Sequence, residues 1–278
     1  MDISYSQANN IFDLNLLKKH QKRAKALGFV DFLDSFAIDQ ASERLAEINR
    51  KFYYPAIIGG KADFWAKKLE MPSASLIPDG NRLKMSKNKH DLVILALSLH
   101  WYNDPVGQLI QARRLLKPDG LMLGFTLAGK TLYELRSSFN RAETRVENGV
   151  SPRVAPMADI RDLGDLLVRA NFALPVADKT KLIVNYSSPV ELLKDLRRMG
   201  ETSNMVQRRK RFLRKETLAS LVDYYTKDFS SVESVGSVEA TFEIVCLTGW
   251  APSVSQQKPI SPGSAKKHFS EVLRTFEF

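Results

Sequence analysis

The chain carries one cysteine, Cys246, and four histidines in 278 residues. A single thiol closes no internal disulfide and builds no thiolate metal cluster, which suits a reducing cytoplasm. With so few histidines, a metal site finds no support in the sequence. Cys246 sits in the apolar run Phe242-Glu243-Ile244-Val245-Cys246-Leu247, where a buried strand residue is a better reading than a nucleophile. No apolar run approaches the ~20 residues that cross a bilayer. Met1 to Asn10 has neither the basic start and apolar stretch of a secretory signal nor an Arg-rich presequence. A bacterial cytoplasmic location is therefore expected.

Negative charge is also in short supply. Against 41 Lys and Arg stand 31 Asp and Glu, a formal charge of +10. Much of the excess lies in Lys18–Lys25 (KKHQKRAK) and Arg208–Lys215 (RRKRFLRK). Apolar residues at helical spacing interrupt both runs, so two solvated helix faces are expected. Neither run has the interleaved aromatics of a base-stacking surface, so no nucleic-acid partner is expected. An acidic protein or a peripheral membrane-surface contact is the better functional alternative.

What is present is an α/β pattern. Two amphipathic helices, Phe12 to Leu27 and Asp31 to Asn49, open the chain. A short apolar strand, Tyr53 to Ile58, ends in Gly59-Gly60. Asp91 to Leu97 is apolar after its first residue, as a strand covered on both faces should be. Asp104 can cap a helix with Pro105 at its first turn. That helix runs to Leu116, and Lys117-Pro118-Asp119-Gly120 turns into a second buried strand, Leu121 to Leu127. Strand, helix and strand make a parallel βαβ unit. Further helices are expected at Thr131–Glu147, Asp159–Ala170, Pro189–Met199 and Lys215–Phe229. Further strands are expected at Leu182–Tyr186 and Ala240–Thr248. The domain reading is a helical segment over 1–50, then an α/β domain over 51–278 with helical inserts near 128–158 and 187–230.

The blocks SLHWYNDP (98–105), LKPDG (116–120), TLYELR (131–136), SPRVAPM (151–157), MGET (199–202), ATFEI (240–244) and LTGWAP (247–252) resemble the family of respiratory complex I assembly factors. That family is related to the malonyl-carrier-protein methyltransferase of biotin synthesis. The resemblance implies a class I methyltransferase fold, Rossmann-like, with a mostly parallel sheet and helices on both faces. It also implies S-adenosylmethionine (SAM) at the carboxyl ends of the strands. The mitochondrial member is associated with arginine hydroxylation on a complex I subunit, so the fold does not fix methyl transfer.

A nucleotide-like cofactor lies against backbone at the first βα turn, and glycines are needed where a Cβ would clash. The family pattern there is an acid followed by Leu-Gly-x-Gly-x-Gly. This chain has Ile57-Ile58-Gly59-Gly60-Lys61-Ala62-Asp63, without the acid and the later glycines. Only residues 61 to 90 separate Gly60 from Asp91. Two helices of ~11 residues, two strands of ~5 and their loops need about 45 to 50. One βα unit is therefore expected to be missing. Either Lys61 to Leu69 is the first helix, or Ala62-Asp63-Phe64 ends the second strand and Asp63 holds the ribose. Asp79 matches the family's acid near the adenine. The candidate cofactor contacts are thus Gly59, Gly60, Asp63, Asp79, Leu99, His100 and Trp101, with SAM binding weak or lost.

His100 follows the fourth family strand, where a histidine can act as general base; packing within the loop is the equal alternative. Arg153 and Lys258 could hold an anionic group, and a surface role is as good a reading for each. The leading function is a SAM-dependent methyltransferase-family protein acting on a protein substrate in complex I assembly, by methylation or arginine hydroxylation. The rival is a non-catalytic assembly scaffold that has lost the cofactor. Oligomeric state is not legible in the sequence.

Overall fold

The computed structural model describes residues 10–83 and 87–257. Lys258 and the rest of the Pro/Gly/Ser tail lie outside them, as do residues 1–9. Six strands form one sheet among the described residues: β1 (Pro55–Ile58), β2 (Ser75–Ile77), β3 (His90–Leu95), β4 (Leu116–Leu127), β5 (Ala173–Tyr186) and β6 (Val238–Trp250). Their order is β2-β1-β3-β4-β6-β5. The pairs β1/β2, β1/β3 and β3/β4 are parallel. The strand β6 runs antiparallel to both β4 and β5. Eight α-helices accompany the sheet among the described residues: α1 (Leu14–Ala26), α2 (Phe32–Glu47), α3 (Ala62–Lys68), α4 (Pro105–Leu115), α5 (Tyr133–Glu147), α6 (Ile160–Arg169), α7 (Pro189–Met199) and α8 (Lys215–Asp228). This is the class I methyltransferase architecture that the sequence blocks imply.

Alternation along the central strands explains why both faces are covered. Ile57, Leu92, Ile94, Leu121, Leu123 and Phe125 point to one side, where α2, α3, α5, α7 and α8 supply the opposing apolar residues. Ala56, Ile58, Val93, Leu95 and Met122 point to the other, against Leu109 and Ala112 of α4 and Leu163 and Leu167 of α6. All six residues of β3 are buried, as a strand between two helical layers must be. The expected βαβ unit is present. Asp104 accepts the Gly107 N–H at 2.8 Å and Pro105 opens α4. The Lys117-Pro118-Asp119-Gly120 segment differs from expectation. It does not precede β4 as a separate turn but bulges within it, the register shifting between His90/Leu116 and Leu92/Leu121. Asp119 takes the left-handed conformation there (φ 60°), which an aspartate tolerates better than most residues.

The short N-terminal half is real. Among the described residues only α3 and the three-residue β2 lie between β1 and β3, and β2 pairs directly with β1 through Ala56/Ser75 to Ile58/Ile77. The stretch from Lys61 to Leu69 thus holds the helix α3 (Ala62–Lys68), and Asp63 lies in its first turn rather than at a strand end. Two other expectations are corrected. β5 begins at Ala173 rather than Leu182, because the polar stretch before Leu182 lies half-exposed along an antiparallel partner. The basic run from Arg208 to Arg214 is not a helix face but a loop, with α8 starting at Lys215. Arg209 is drawn out of it to Glu147, and Leu213 packs on the core.

Candidate functional site

The sheet's connections diverge at β1 and β3: β1 leads through α3 to β2 on one side, and β3 through α4 to β4 on the other. Ligands in open α/β sheets bind outside the carboxyl ends of the strands at such a switch point. Two groups of side chains occupy that region.

The first follows β3. Leu99–Trp101 forms a single 3-10 turn. Leu99 is buried in the core beneath it. His100 sits above the end of β4, where the Leu127 N–H points at its Nδ1 at 3.4 Å. That contact makes Nδ1 an acceptor and leaves the proton on Nε2. Nε2 is 3.1 Å from Oε2 of Glu201, and the Trp101 indole N–H donates to the same oxygen at 2.8 Å. The His100 and Glu201 side chains are 4% and 9% exposed. Burial pushes the Glu201 carboxyl up, but the bonds from His100 and Trp101 and the ammonium of Lys61 pull it below the usual range. Glu201 thus stays ionised at neutral pH. Trp101 is fixed from its other edge by Phe12, T-shaped at 5.4 Å. Asn103 clamps the backbone there, accepting from the Ile11 and Phe12 N–H groups and donating to the Phe12 carbonyl.

Beside this cluster lies a cavity of about 210 Å³. Trp101, Leu132, Phe139, Phe242 and Leu196 form apolar walls, and Glu201 and Arg153 are the charged lining groups. Arg153 is held by Glu143, its Nε donating to Oε1 at 2.7 Å, and Glu143 also takes the Ser151 N–H at 2.6 Å. The Arg153 charge is thus neutralised by Glu143 of α5. The Ala155 carbonyl accepts from Arg136, which joins the TLYELR and SPRVAPM blocks into one wall.

The second group follows β1. A Cβ on Gly59 would lie 3.0 Å from the Ala96 carbonyl oxygen, with φ at +150°, so this glycine serves the close approach of β3. Gly60 is different. A Cβ there would fall 2.4 Å from Nε2 of Gln21, which reaches in from α1. Gln21 donates to Oδ2 of Asp79 at 3.1 Å, and the Tyr102 hydroxyl donates to Oδ1 at 2.8 Å. Asp79 is 6% exposed, and both of its oxygens are engaged. Burial and the Asp79 charge push the Tyr102 phenol far up, so it remains a donor. Lys61 turns away to Asp34 (2.7 Å), which also takes the Trp65 indole N–H at 2.9 Å. Trp65 is wholly buried against Phe125 and leaves the turn open. Phe64 and Asp63 instead line a cleft of about 600 Å³ beneath α1.

The structure thus brings His100 and Trp101 together, and separately Gly60 and Asp79; Asp63 lies on the rim of the cleft. Two residues escaped the sequence reading. Glu201 belongs to the MGET block, which follows the Gly200 cap of α7, but the block was given no chemistry. Gln21 was hidden as one polar residue within a basic run. Thr202 of the same block ties α1 down, its hydroxyl accepting from Arg23 and its carbonyl meeting His20.

Among families, a methyltransferase domain matches residues 34–124. The mitochondrial arginine-hydroxylase NDUFAF5 of Homo sapiens is 34% identical over 290 residues, covering 95% of this chain and 83% of that protein. Its Danio rerio counterpart is 31% identical over 298 residues, 98% of this chain and 92% of that one. The malonyl-(acyl-carrier protein) O-methyltransferase 1 of Coxiella burnetii is 31% identical over 211 residues, 76% and 68% of the two chains.

Proposed function

Because this chain belongs to the NDUFAF5 arginine-hydroxylase family of methyltransferase-fold proteins, we propose that it acts on an arginine side chain of a protein partner during respiratory complex I assembly. The observation that carries this reading is the buried Glu201 carboxylate on the wall of an apolar cavity. The cavity's ~210 Å³ is below the ~300–1,000 Å³ typical of small-molecule sites and suits one inserted side chain. Among the described residues both donors to Glu201 fall on Oε2, leaving Oε1 to accept from a guanidinium, a charge-assisted bond of the stronger kind. The Trp101 ring lines the same cavity, whereas the Phe139 ring already carries the Arg153 guanidinium. His100, with its proton on Nε2, fixes the carboxylate's orientation. In this reading the site binds and orients arginine.

The methyltransferase domain implies SAM, which when bound supplies an activated methyl group. The residues at the first turn fit it poorly. The amide of Gln21 fills the cradle that Gly60 leaves, and both Asp79 oxygens already accept a bond from the protein. We read SAM affinity here as weak or lost, so no step is routed through it. Among the described residues no helix is long and apolar enough to cross a membrane, and we read the protein as cytoplasmic in its bacterial setting.

The test is mass spectrometry of complex I subunits from a strain lacking this gene, complemented with the wild-type or E201Q protein. An arginine modified by an added oxygen or a methyl group should appear with the wild type only. No modified arginine with the wild type, or full modification by E201Q, would overturn the reading.

A further inference from the structure

The cleft beneath α1 has a chemistry that a methyl donor does not explain. Lys18, Lys22 and Lys25 line it from α1, at spacings that stack them on one helix face. Like charges four residues apart destabilise a helix, and among the described residues none of the three is in an ion pair. Lys61 also lines the cleft, its nitrogen 4.5 Å from the centre of the Phe29 ring, but its charge is paired with Asp34. Asp63 is the one acid on the cleft wall. The floor is aromatic: Phe29 and Phe64 meet edge to face at 5.6 Å. Gly60 places the cleft at the carboxyl end of β1, the position where this sheet topology binds ligands.

SAM carries a sulfonium and an ammonium against one carboxylate. A cleft with three lysines outside any ion pair and one acid opposes that charge. Its size, about 600 Å³, lies within the ~300–1,000 Å³ range of small-molecule sites. We propose that this cleft binds a phosphate-bearing small ligand of nucleotide size, with its phosphates on Lys18, Lys22 and Lys25 and its apolar part on Phe29 and Phe64. Ammonium groups are point-charge phosphate binders, and a ring on the Phe29–Phe64 floor gains the aromatic contact that inorganic phosphate cannot. An acidic peptide is the weaker fit, since a concave cleft with an aromatic floor favours a compact ligand over an extended chain. The proposal is independent of arginine chemistry, because its readout is binding alone.

Calorimetric titration of the full chain at low ionic strength tests it, with ADP, pyrophosphate, SAM and an oligoglutamate peptide as probes. The variants are K18Q/K22Q/K25Q and a control, K210Q/R211Q/K227Q, that removes the same charge elsewhere on the surface. Melting curves check that both fold. ADP should bind the wild type more tightly than the other three probes do. The α1 variant should lose about tenfold or more of that affinity, since three charge-assisted contacts go, and the control should stay within about twofold. Absence of ADP binding, tighter binding of SAM or of the peptide, or equal loss in both variants would overturn the assignment.

Discussion

Removing Gln21 should open the place that the methyl donor occupies in this fold. In the wild type its amide donates to buried Asp79 at 3.1 Å and lies where any Cβ on Gly60 would stand. A hydrogen bond to a charged group contributes about 1.5–3 kcal/mol. The pair is only partly buried, and Tyr102 still holds the other Asp79 oxygen. Q21A should therefore cost about 1.5 kcal/mol, the lower end of that range. G60A reaches the same state from the other side. Gly60 is not among the glycines with positive φ, so its new methyl strains no backbone and simply expels the flexible end of Gln21. The two single losses should match, and the double variant should cost no more than either, a coupling of about 1.5 kcal/mol. SAM then separates them. Q21A frees the cradle and an Asp79 oxygen, whereas the new Cβ of G60A blocks the cradle. Saturation at a hundred times the dissociation constant contributes about 2.7 kcal/mol. At ~2–4 °C per kcal/mol, that is about 5 to 10 °C in a thermal-shift assay. The shift should appear in Q21A and not in the wild type or G60A. Equal stabilisation of wild type and Q21A by SAM would refute the reasoning, because α1 would then be no obstacle.

Other variants probe the buried charges. Asp34 is 1% exposed and holds both Lys61 and the Trp65 indole; D34A should cost about 3–5 kcal/mol in urea unfolding, the range for breaking a buried pair. Burial raises the Glu134 carboxyl, and its Oε2 finds no partner. A raised folded value means that Glu134's contribution is complete below the unfolded value of 4.5 and is lost as pH rises through the folded one. E134Q should therefore gain on the wild type as pH rises from 4 to 8, and parallel stability curves would sink that account. Glu201 behaves oppositely, its folded value being lowered. Its contribution is present above 4.5 and lost as pH falls through the folded value. The stability gap between wild type and E201Q should accordingly narrow on acidification, followed by denaturant midpoints.

Much of the fold was legible because its cause is local. Continuous apolarity at Asp91–Leu97 and Leu121–Leu127 needs two covering layers, and Asp104-Pro105 starts the helix between them. Simple residue counting also exposed the short N-terminal half, since 30 residues between Gly60 and Asp91 cannot hold two full βα units. The family blocks pointed to the methyltransferase fold, and position after β3 singled out His100 and Trp101.

The partners of those residues could not be read from the chain. Glu201 lies 101 residues from His100, and Gln21 lies 58 from Asp79; no periodicity links such pairs. The basic run around Arg209 had helical spacing, yet it stays a loop because Glu147, 62 residues earlier, draws Arg209 aside. The glycines make the same point. The sequence placed Gly59-Gly60 at a turn, but only the neighbouring backbone of Ala96 and the incoming amide of Gln21 decide what each glycine is for. Local pattern sets elements through propensity and burial, whereas a site is made where distant segments meet, and that meeting is fixed only when the layers pack.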